Sequence, residues 1–503
     1  MLFNSYTFIF GFLPVTLLVF VVLVKRMPRR IAIAWLVAAS LFYYGWERPE
    51  NLLLLSILLV GNYLAGVYLC RHQGAARGRV VLVLGLAANL GALAYYKYAN
   101  FIIQIGNDVL GAHWPPASVI LPLGISFFIF QKIAYLVDAY RGQTRGYHFI
   151  DYCLFVTFFP QLIAGPIVHH SEVVPQFERR TGQAFSAQDL SVGLTQFVCG
   201  LFKKVALADR MALYATPVFT AAAAGGHPTF LEAWIGALAY AFQLYFDFSG
   251  YSDMALGLGR MFGIRLPANF DSPYKAVNIV DFWRRWHMTL SRFLRDYLYI
   301  PLGGNRRGPT WRYVNLMITM VLGGLWHGAG WTFLFWGALH GLYLVLNHAW
   351  MSLRAARRQL TDNPSAVGVW AGRTVTFLAV GLAWVFFRAA NFATAGRMLS
   401  SMAGGNGFGF TSSFHAGPAL TLIIILWAGV WVLPNTQEIL AMFEPALPPH
   451  GGSKFAHGDP VAIPWLTRWQ WRPTTLWAAV VAVITVFTLT QMSRISEFIY
   501  WQF

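Results

Sequence analysis

The chain has 503 residues, of which 57% belong to the apolar set AVILMFWYC and only 11% are charged. Soluble domains average about 45–50% apolar and about 25% charged residues, and disordered chains are more polar still, so both classes are excluded. Lys and Arg outnumber Asp and Glu by 37 to 20, a formal charge of +17; in so apolar a chain this excess belongs to cytoplasmic loops facing anionic headgroups, and no nucleic-acid partner is expected.

The first apolar run, 7–24, has no basic residue ahead of it and Lys25, Arg26, Arg29 and Arg30 behind it. A cleavable signal has the opposite charge order and a small-residue cleavage site, so the run is predicted to stay as a spanning helix, with the N-terminus periplasmic and the basic loop cytoplasmic. Further runs fall near 31–46, 51–70, 80–97, 118–137, 150–168, 190–208, 230–250, 314–333, 334–351, 369–387, 416–434 and 474–492. Each is long enough for about 30 Å of hydrocarbon.

Arg71, Arg77 and Arg79, then Arg141 and Arg145, alternate correctly with the first basic loop, whereas Arg179 and Arg180 do not. Pro160, Gly165 and Pro166 interrupt the run between them, which is expected to re-enter and not to cross. The pattern predicts an all-α polytopic membrane protein, one domain over 1–503, with about eleven to thirteen membrane helices plus short interfacial or re-entrant ones. No internal repeat is visible, which counts against inverted-repeat transporters. Cys70, Cys153 and Cys199 are isolated, so no metal or disulfide framework is expected.

Residues 281–300 carry too many charges to cross a bilayer yet are helically periodic. Asp281, Arg285, Arg292 and Asp296 make one stripe; Trp283, Leu290 and Leu294 make another, and His287 falls with the apolar set. Two readings stay open: an ordinary amphipathic surface helix, or an interfacial helix that points one imidazole inward.

Residues 321–341 are different. Between Arg312 and Arg354 there is no Asp, Glu, Lys or Arg, so His327 and His340 stand out as ionisable groups at membrane depth, where such groups usually face a cavity. Gly323, Gly324, Gly328 and Gly330 leave room around His327 for a substrate or for another helix. His340 lies about 220° away on an unbroken helix, which favours a structural hydrogen bond. His348 and the loop histidines (His113, His169, His170, His227, His450, His457) read as solvated or capping residues. Gln243 and Asp247, and the pair Gln131 and Lys132, either line a tunnel or satisfy broken backbone. Nucleophile-elbow, zincin and Walker motifs are absent, and Gly257 and Gly259 lack the third glycine of a dinucleotide loop.

Six stretches then carry a resemblance: Leu121-Pro-Leu-Gly-Ile-Ser-Phe-Phe, Phe159-Pro-Gln-Leu-Ile-Ala-Gly-Pro166, Gln243-Leu-Tyr-Phe-Asp-Phe-Ser-Gly-Tyr-Ser-Asp253, Arg285-Trp-His-Met-Thr-Leu-Ser291, Pro301-Leu-Gly-Gly-Asn-Arg306 and Leu325-Trp-His-Gly328. Together and in order they resemble the membrane-bound O-acyltransferases of the bacterial alginate O-acetylase branch. The resemblance implies a ring of helices around a central tunnel, with His327 as the essential membrane histidine and His287 as the second active-site position. Trp326 adjoins His327 in the same motif and counts with His340, Gln243 and Asp247 as a tunnel or structural candidate.

It further implies transfer from cytoplasmic acetyl-CoA, with no other cofactor and no metal, across the inner membrane to an exported polysaccharide. A periplasmic SGNH-type acetyltransferase and membrane lipid are the expected partners. Alginate is the first expectation; cellulose, peptidoglycan, D-alanyl or lipid acceptors, or a non-enzymatic transporter or flippase, are the alternatives. Residues 498–503 have a Phe-x-Tyr-x-x-Phe spacing similar to that of the small partner peptide of teichoic-acid D-alanylation. That likeness makes Tyr500 a candidate acyl carrier beside the plain reading of an aromatic interface belt.

Overall fold

The computed structural model describes residues 1–144, 146–177, 186–356, 365–410, 416–448, 470–492 and 499. Tyr500, the rest of the 498–503 motif apart from Ile499, His450, His457, Arg145, Arg179 and Arg180 lie outside them. Among the described residues the chain is helical, and strand pairing is limited to one bridge between Pro267 and Leu447.

A π-helical start, Thr7–Phe12, leads into α1 (Leu13–Arg26), and Pro28 turns the chain into α2 (Arg29–Gly45). Next come α3 (Asn51–Arg71) and α4 (Ala76–Leu93), which runs through a π segment, Ala94–Tyr98, into α5 (Ala99–Leu110). Helix α6 (Ile125–Tyr140) begins later than its apolar run. Gly124 holds a left-handed turn at φ 69° against the backbone of Ile163, where a Cβ would lie 2.9 Å from the Ile163 Cα.

The proline-interrupted run doubles back on itself. Helix α7 (Phe149–Thr157) stops, α8 (Phe159–Leu162) adds one turn, and the buried chain returns to α9 (His170–Phe177). Tyr147 before it and His170 after it meet, Oη to Nδ1, at 2.8 Å. At the break the Ser40 hydroxyl accepts the Phe159 N–H at 3.1 Å, which spares a peptide donor from burial without a partner.

Helix α10 (Ala187–Phe202) continues through a π segment, Lys203–Ala208, into α11 (Asp209–Ala223), and α12 (Phe230–Met261) opens on a Thr229–Glu232 capping box. Glycines face each other between α10 and α12. A Cβ on Gly200 would meet the Gly250 carbonyl at 2.5 Å, and one on Gly193 the Gly257 carbonyl at 2.6 Å. That close approach explains Gly257, in the manner of small-residue seams in membranes.

Residues 281–300 are not one surface helix. They form α13 (Ile279–Arg285) and α14 (Met288–Leu294), broken at Trp286 and His287, then a π segment, Arg295–Tyr299. Much of their charge is paired, Arg285 with Asp281 at 2.8 Å and Arg292 with Glu172 at 2.5 Å, both half-buried, while Arg295 and Asp296 pair at the surface.

The chain ends with α15 (Pro309–His327), α16 (Trp331–Ala356), α17 (Ala366–Arg388), α18 (Phe392–Met402), α19 (Ala416–Val432), α20 (Thr436–Ile439) and α21 (Thr475–Gln491). Five stretches suffice to cross a bilayer by length and composition: Thr7–Arg26, Asn51–Arg71, Ala76–Leu110, Ala187–Ala223 and Ala366–Arg388; α19 and α21 are shorter apolar helices. The other predicted runs fall on shorter helices such as α2 and α6, or on α12, α15 and α16, which carry polar groups inside. Leu53, Ile57, Leu64, Val83, Val375, Ile424 and Val483 face outward, an apolar surface that only lipid can cover.

Candidate active site

Helix α15 ends at His327, and Gly328 leaves the helix with extended backbone. The last carbonyls of α15 have no helical partners of their own. Tyr98 Oη donates to the Leu325 carbonyl at 2.9 Å, and the Lys97 ammonium donates to the carbonyls of Trp326 and, at 3.4 Å, His327. A cation there also suits the negative end of the helix dipole. The residue that fixes the His327 backbone therefore comes from the π segment after α4.

His287 sits at the break between α13 and α14 in the left-handed region, φ 43° and ψ 52°. A non-glycine residue in this conformation is strained, and such strain gathers at functional sites. Asn269 holds it there. The Asn269 carbonyl accepts the Met288 N–H at 3.0 Å, and its side-chain Oδ1 lies 3.2 Å from His287 Nδ1 and accepts the Thr289 hydroxyl at 2.7 Å. With Nδ1–H donating to Oδ1, the lone pair of His287 is on Nε2.

The two imidazoles face each other with ring centroids 6.4 Å apart, His287 fully buried and His327 3% exposed. Trp326, Trp336 and Phe387 pack around His327 at 4.9, 5.1 and 5.3 Å. One cleft reaches His327, and a second is joined to His287 through Thr289 and Asn269. The first, which is partly open, is lined by Lys97, Leu121, Ser126, Phe127, Trp326 and His327. The second is lined by Ala134, His169, Thr289, Arg292, Phe293 and Tyr297, and Thr289 shares Asn269 with His287.

The clefts open at different levels of α6, with wall residue Ile125 at its N-terminal end and Ala134 near its middle, about 13 Å apart along its axis. The first is on the side where Tyr44 Oη donates to the Leu123 carbonyl at 3.0 Å and the N-terminus pairs with Glu47. The second is on the side of Arg29, which pairs with Asp151 at 3.0 Å. This arrangement puts a buried imidazole in the wall of one cleft, where it can act as a base, with a second cleft joined to its neighbour through Thr289 and Asn269.

A family model for membrane-bound O-acyltransferases matches residues 20–386. The chain belongs to the membrane-bound O-acyltransferase family. It is 45% identical to the peptidoglycan O-acetyltransferase of Helicobacter pylori over 81% of this chain and 80% of that protein. It is 43% identical to the probable alginate O-acetylase AlgI of Pseudomonas aeruginosa, over 80% of this chain and 75% of that one. A more distant likeness, 28% over 58% of this chain and 72% of the relative, is to the teichoic acid D-alanyltransferase of Bacillus subtilis. This O-acyltransferase is accordingly a multi-pass membrane enzyme of the O-acetyltransferase kind.

The structure brings His327, His287 and Trp326 together in this membrane-bound O-acyltransferase, and the glycines beside them have separate duties. Gly324 and Gly337 form a seam between α15 and α16, where a Cβ on Gly324 would meet the Phe333 carbonyl at 2.3 Å, so another helix and not a substrate takes the room. His340 does not make the expected structural hydrogen bond: neither ring nitrogen has a partner among the described residues, and the ring packs on Trp283 and Trp336 at 5.2 and 4.8 Å. The helix is also broken after His327, so Trp336 touches both histidines and the angular separation read from an unbroken helix does not apply.

Asp247 pairs with Lys204 at 2.6 Å and accepts the Ile499 N–H at 2.9 Å, which makes it a structural partner of that peptide. Gln243, partly buried one turn earlier, lines neither cleft. Gln131 and Lys132 are buried, with the Lys132 ammonium 4.3 Å from the Phe128 ring.

The expectation of solvated loop histidines holds for His113 and His227, which are exposed, and fails for His169 and His170. These two converge on Asp138, Nε2 to Oδ2, at 2.6 and 3.1 Å, and Tyr297 donates to the same oxygen at 2.6 Å. Burial pushes the His170 pKa down, against the pull of Asp138, so its imidazole is neutral at neutral pH. The partners Lys97 and Asn269 were missed as well. A lone lysine closing the run 80–97 was the available signal for the first, and nothing local marks the second.

Proposed function

We propose that this enzyme moves an acetyl group from cytoplasmic acetyl-CoA across the inner membrane for O-acetylation of an exported polysaccharide. The observation that carries the reading is the buried His327 and His287 pair, with one cleft lined by His327 and a second joined to His287 through Thr289 and Asn269. With the Arg29 side cytoplasmic, by the positive-inside rule, the thioester arrives through the second cleft and the acceptor through the first. His327 takes the proton of the attacking hydroxyl, the oxygen adds to the thioester carbonyl, and the thiolate leaves and takes up a proton. Asn269 holds His287 so that its Nε2 side orients the thioester.

The alginate and peptidoglycan acetylases among its relatives support a cell-envelope or exported polymer as the final acceptor. Alginate-type acetylation remains the first reading and peptidoglycan the second, favoured by the Helicobacter pylori likeness. Tyr500 is the proposed first acceptor, which would carry the group as a tyrosyl ester (a covalent relay) to a periplasmic SGNH-type acetyltransferase.

The test uses purified protein in proteoliposomes with radiolabelled acetyl-CoA. Transfer or hydrolysis is expected, falling by about 10²–10⁴-fold in His327→Ala with an unchanged gel-filtration profile. An inactive wild type, or an active His327→Ala, overturns the reading. For the relay, mass spectrometry of the C-terminal peptide should find acetyl on Tyr500; full polymer acetylation by Tyr500→Phe removes that step.

A further inference from the structure

The cluster at the rim of the second cleft has a use that acyl transfer does not require. Asp138 Oδ2, His169 Nε2, His170 Nε2 and the Tyr297 hydroxyl converge on one point: both imidazoles and the phenol reach the carboxylate oxygen at 2.6–3.1 Å, and His169 Nε2 is 2.9 Å from the phenol. One ligand atom from each of Asp138, His169 and His170 lies within 4.8 Å of the others, a spacing that can hold a metal ion. Bond lengths of about 2.0–2.1 Å in a tetrahedral site put ligand atoms roughly 3.3 Å apart, so shifts of less than 1 Å convert these contacts into a coordination sphere.

The outer contacts suit ligation too. His169 Nδ1 is 2.6 Å from the Ser171 hydroxyl and His170 Nδ1 is 2.8 Å from the Tyr147 hydroxyl. Each ring can therefore donate from Nδ1 to an oxygen while Nε2 faces inward, which is how metal-bound histidines are usually held. Two imidazoles with one carboxylate match zinc and its first-row neighbours better than magnesium or calcium, which prefer all-oxygen shells. His169 lines the cleft, so an ion has a path in.

We infer that Asp138, His169 and His170, with Tyr297 as fourth neighbour, bind one divalent transition-metal ion of the zinc class, which pins α6, α9 and the Arg295–Tyr299 turn together at the mouth of the second cleft. No local motif announces the site, because its ligands come from three separate parts of the chain. The ion's protein ligands are Asp138, His169 and His170, and the fourth position faces Tyr297 and the cleft.

The experiment loads detergent-purified protein without a polyhistidine tag with Zn²⁺, removes excess over a chelating column and counts metal by mass spectrometry. One equivalent per chain is expected, with a higher unfolding temperature than after exhaustive chelation. His169→Gln combined with His170→Gln, whose amide nitrogens sit where the two Nε2 atoms do and still donate to Asp138, should lose the ion while keeping the gel-filtration profile. His327→Ala should keep it. Tyr147→Phe should weaken zinc affinity about 10–100-fold by removing an outer contact. Absence of stoichiometric zinc, or equal retention by the double variant, overturns the site. Co²⁺ in place of zinc gives a second readout: tetrahedral d–d absorption in the wild type supports the site, and its absence overturns it. Because these readouts need no acetyl-CoA, they stand apart from the acyltransfer test.

Discussion

Asn269 binds three consecutive residues of the His287 turn, and Lys97 binds the last two carbonyls before the helix carrying His327 ends. Neither is proposed to touch the acyl group, so their removal should alter placement and not chemistry. Asn269→Leu is expected to lower kcat roughly 10–100-fold, as a misplaced catalytic ring does, with KM for acetyl-CoA changed much less. Steady-state kinetics beside the unfolding temperature separate this from general damage. Lys97→Met should act on His327 in the same way, and partial recovery in Lys97→Arg would identify the capping cation as the cause. Activity equal to wild type in Lys97→Met would show that the α15 terminus holds without its cap. The histidines were legible because an ionisable group in an apolar run is conspicuous. Their partners were not, since Asn269 and Lys97 reach them across 18 and 229–230 positions of chain.

At the level of helices, apolar runs located α1 to α4, α16, α17, α19 and α21 to within a few residues, because lipid demands length and hydrophobicity in one continuous piece. The same logic failed where helices bury charge against other helices. The stripe over 281–300 was real, but it recorded the pairs Arg285 with Asp281 and Arg292 with Glu172, and the break at His287 has no signature in periodicity. Helix α11 escaped notice because Lys203 and Lys204 fall at the end of the apolar run and Asp209 follows it, although these charges are paired, Lys203 with Asp253, Lys204 with Asp247 and with Asp209. The glycine seam gives a test with opposed signs. Alanine is better than glycine in a helix by about 1 kcal/mol. Gly91→Ala, with nothing within 4 Å of its added Cβ, should hold or raise the unfolding temperature. Gly250→Ala meets the Gly200 carbonyl at 2.7 Å and should lower stability by about 1–3 kcal/mol, read in the same scan. Equal shifts in the two variants would mean that α10 and α12 do not pack backbone to backbone.

For the whole molecule, the separation of the clefts predicts a sidedness that labelling can read. Leu121 lines the first cleft, and Arg295, with 52% of its side chain exposed, adjoins Asp296 in the wall of the second. A membrane-impermeant maleimide should modify Leu121→Cys in right-side-out vesicles and Arg295→Cys in inverted ones. Labelling of both from one side would place the clefts in one compartment and remove the transmembrane route. The architecture was readable as a class, many helices around polar groups, because composition reports the solvent that a chain is built for. Which helices meet at the centre was not, since α15 and the His287 turn are brought together by contacts that no window of sequence contains.

The paired glycines on α10 and α12 set how the protein can change over time. At Gly193, Gly200, Gly250 and Gly257 an added methyl group would meet main chain on the opposite helix, so a saturation survey should find these sites closed to side-chain volume. On α21, where Thr488 is the only buried residue among those described, nearly any greasy substitution should survive. Drift would then accumulate on the lipid-facing rim while the inner pair of helices stays frozen, leaving a record of the fold in the places where variation is missing.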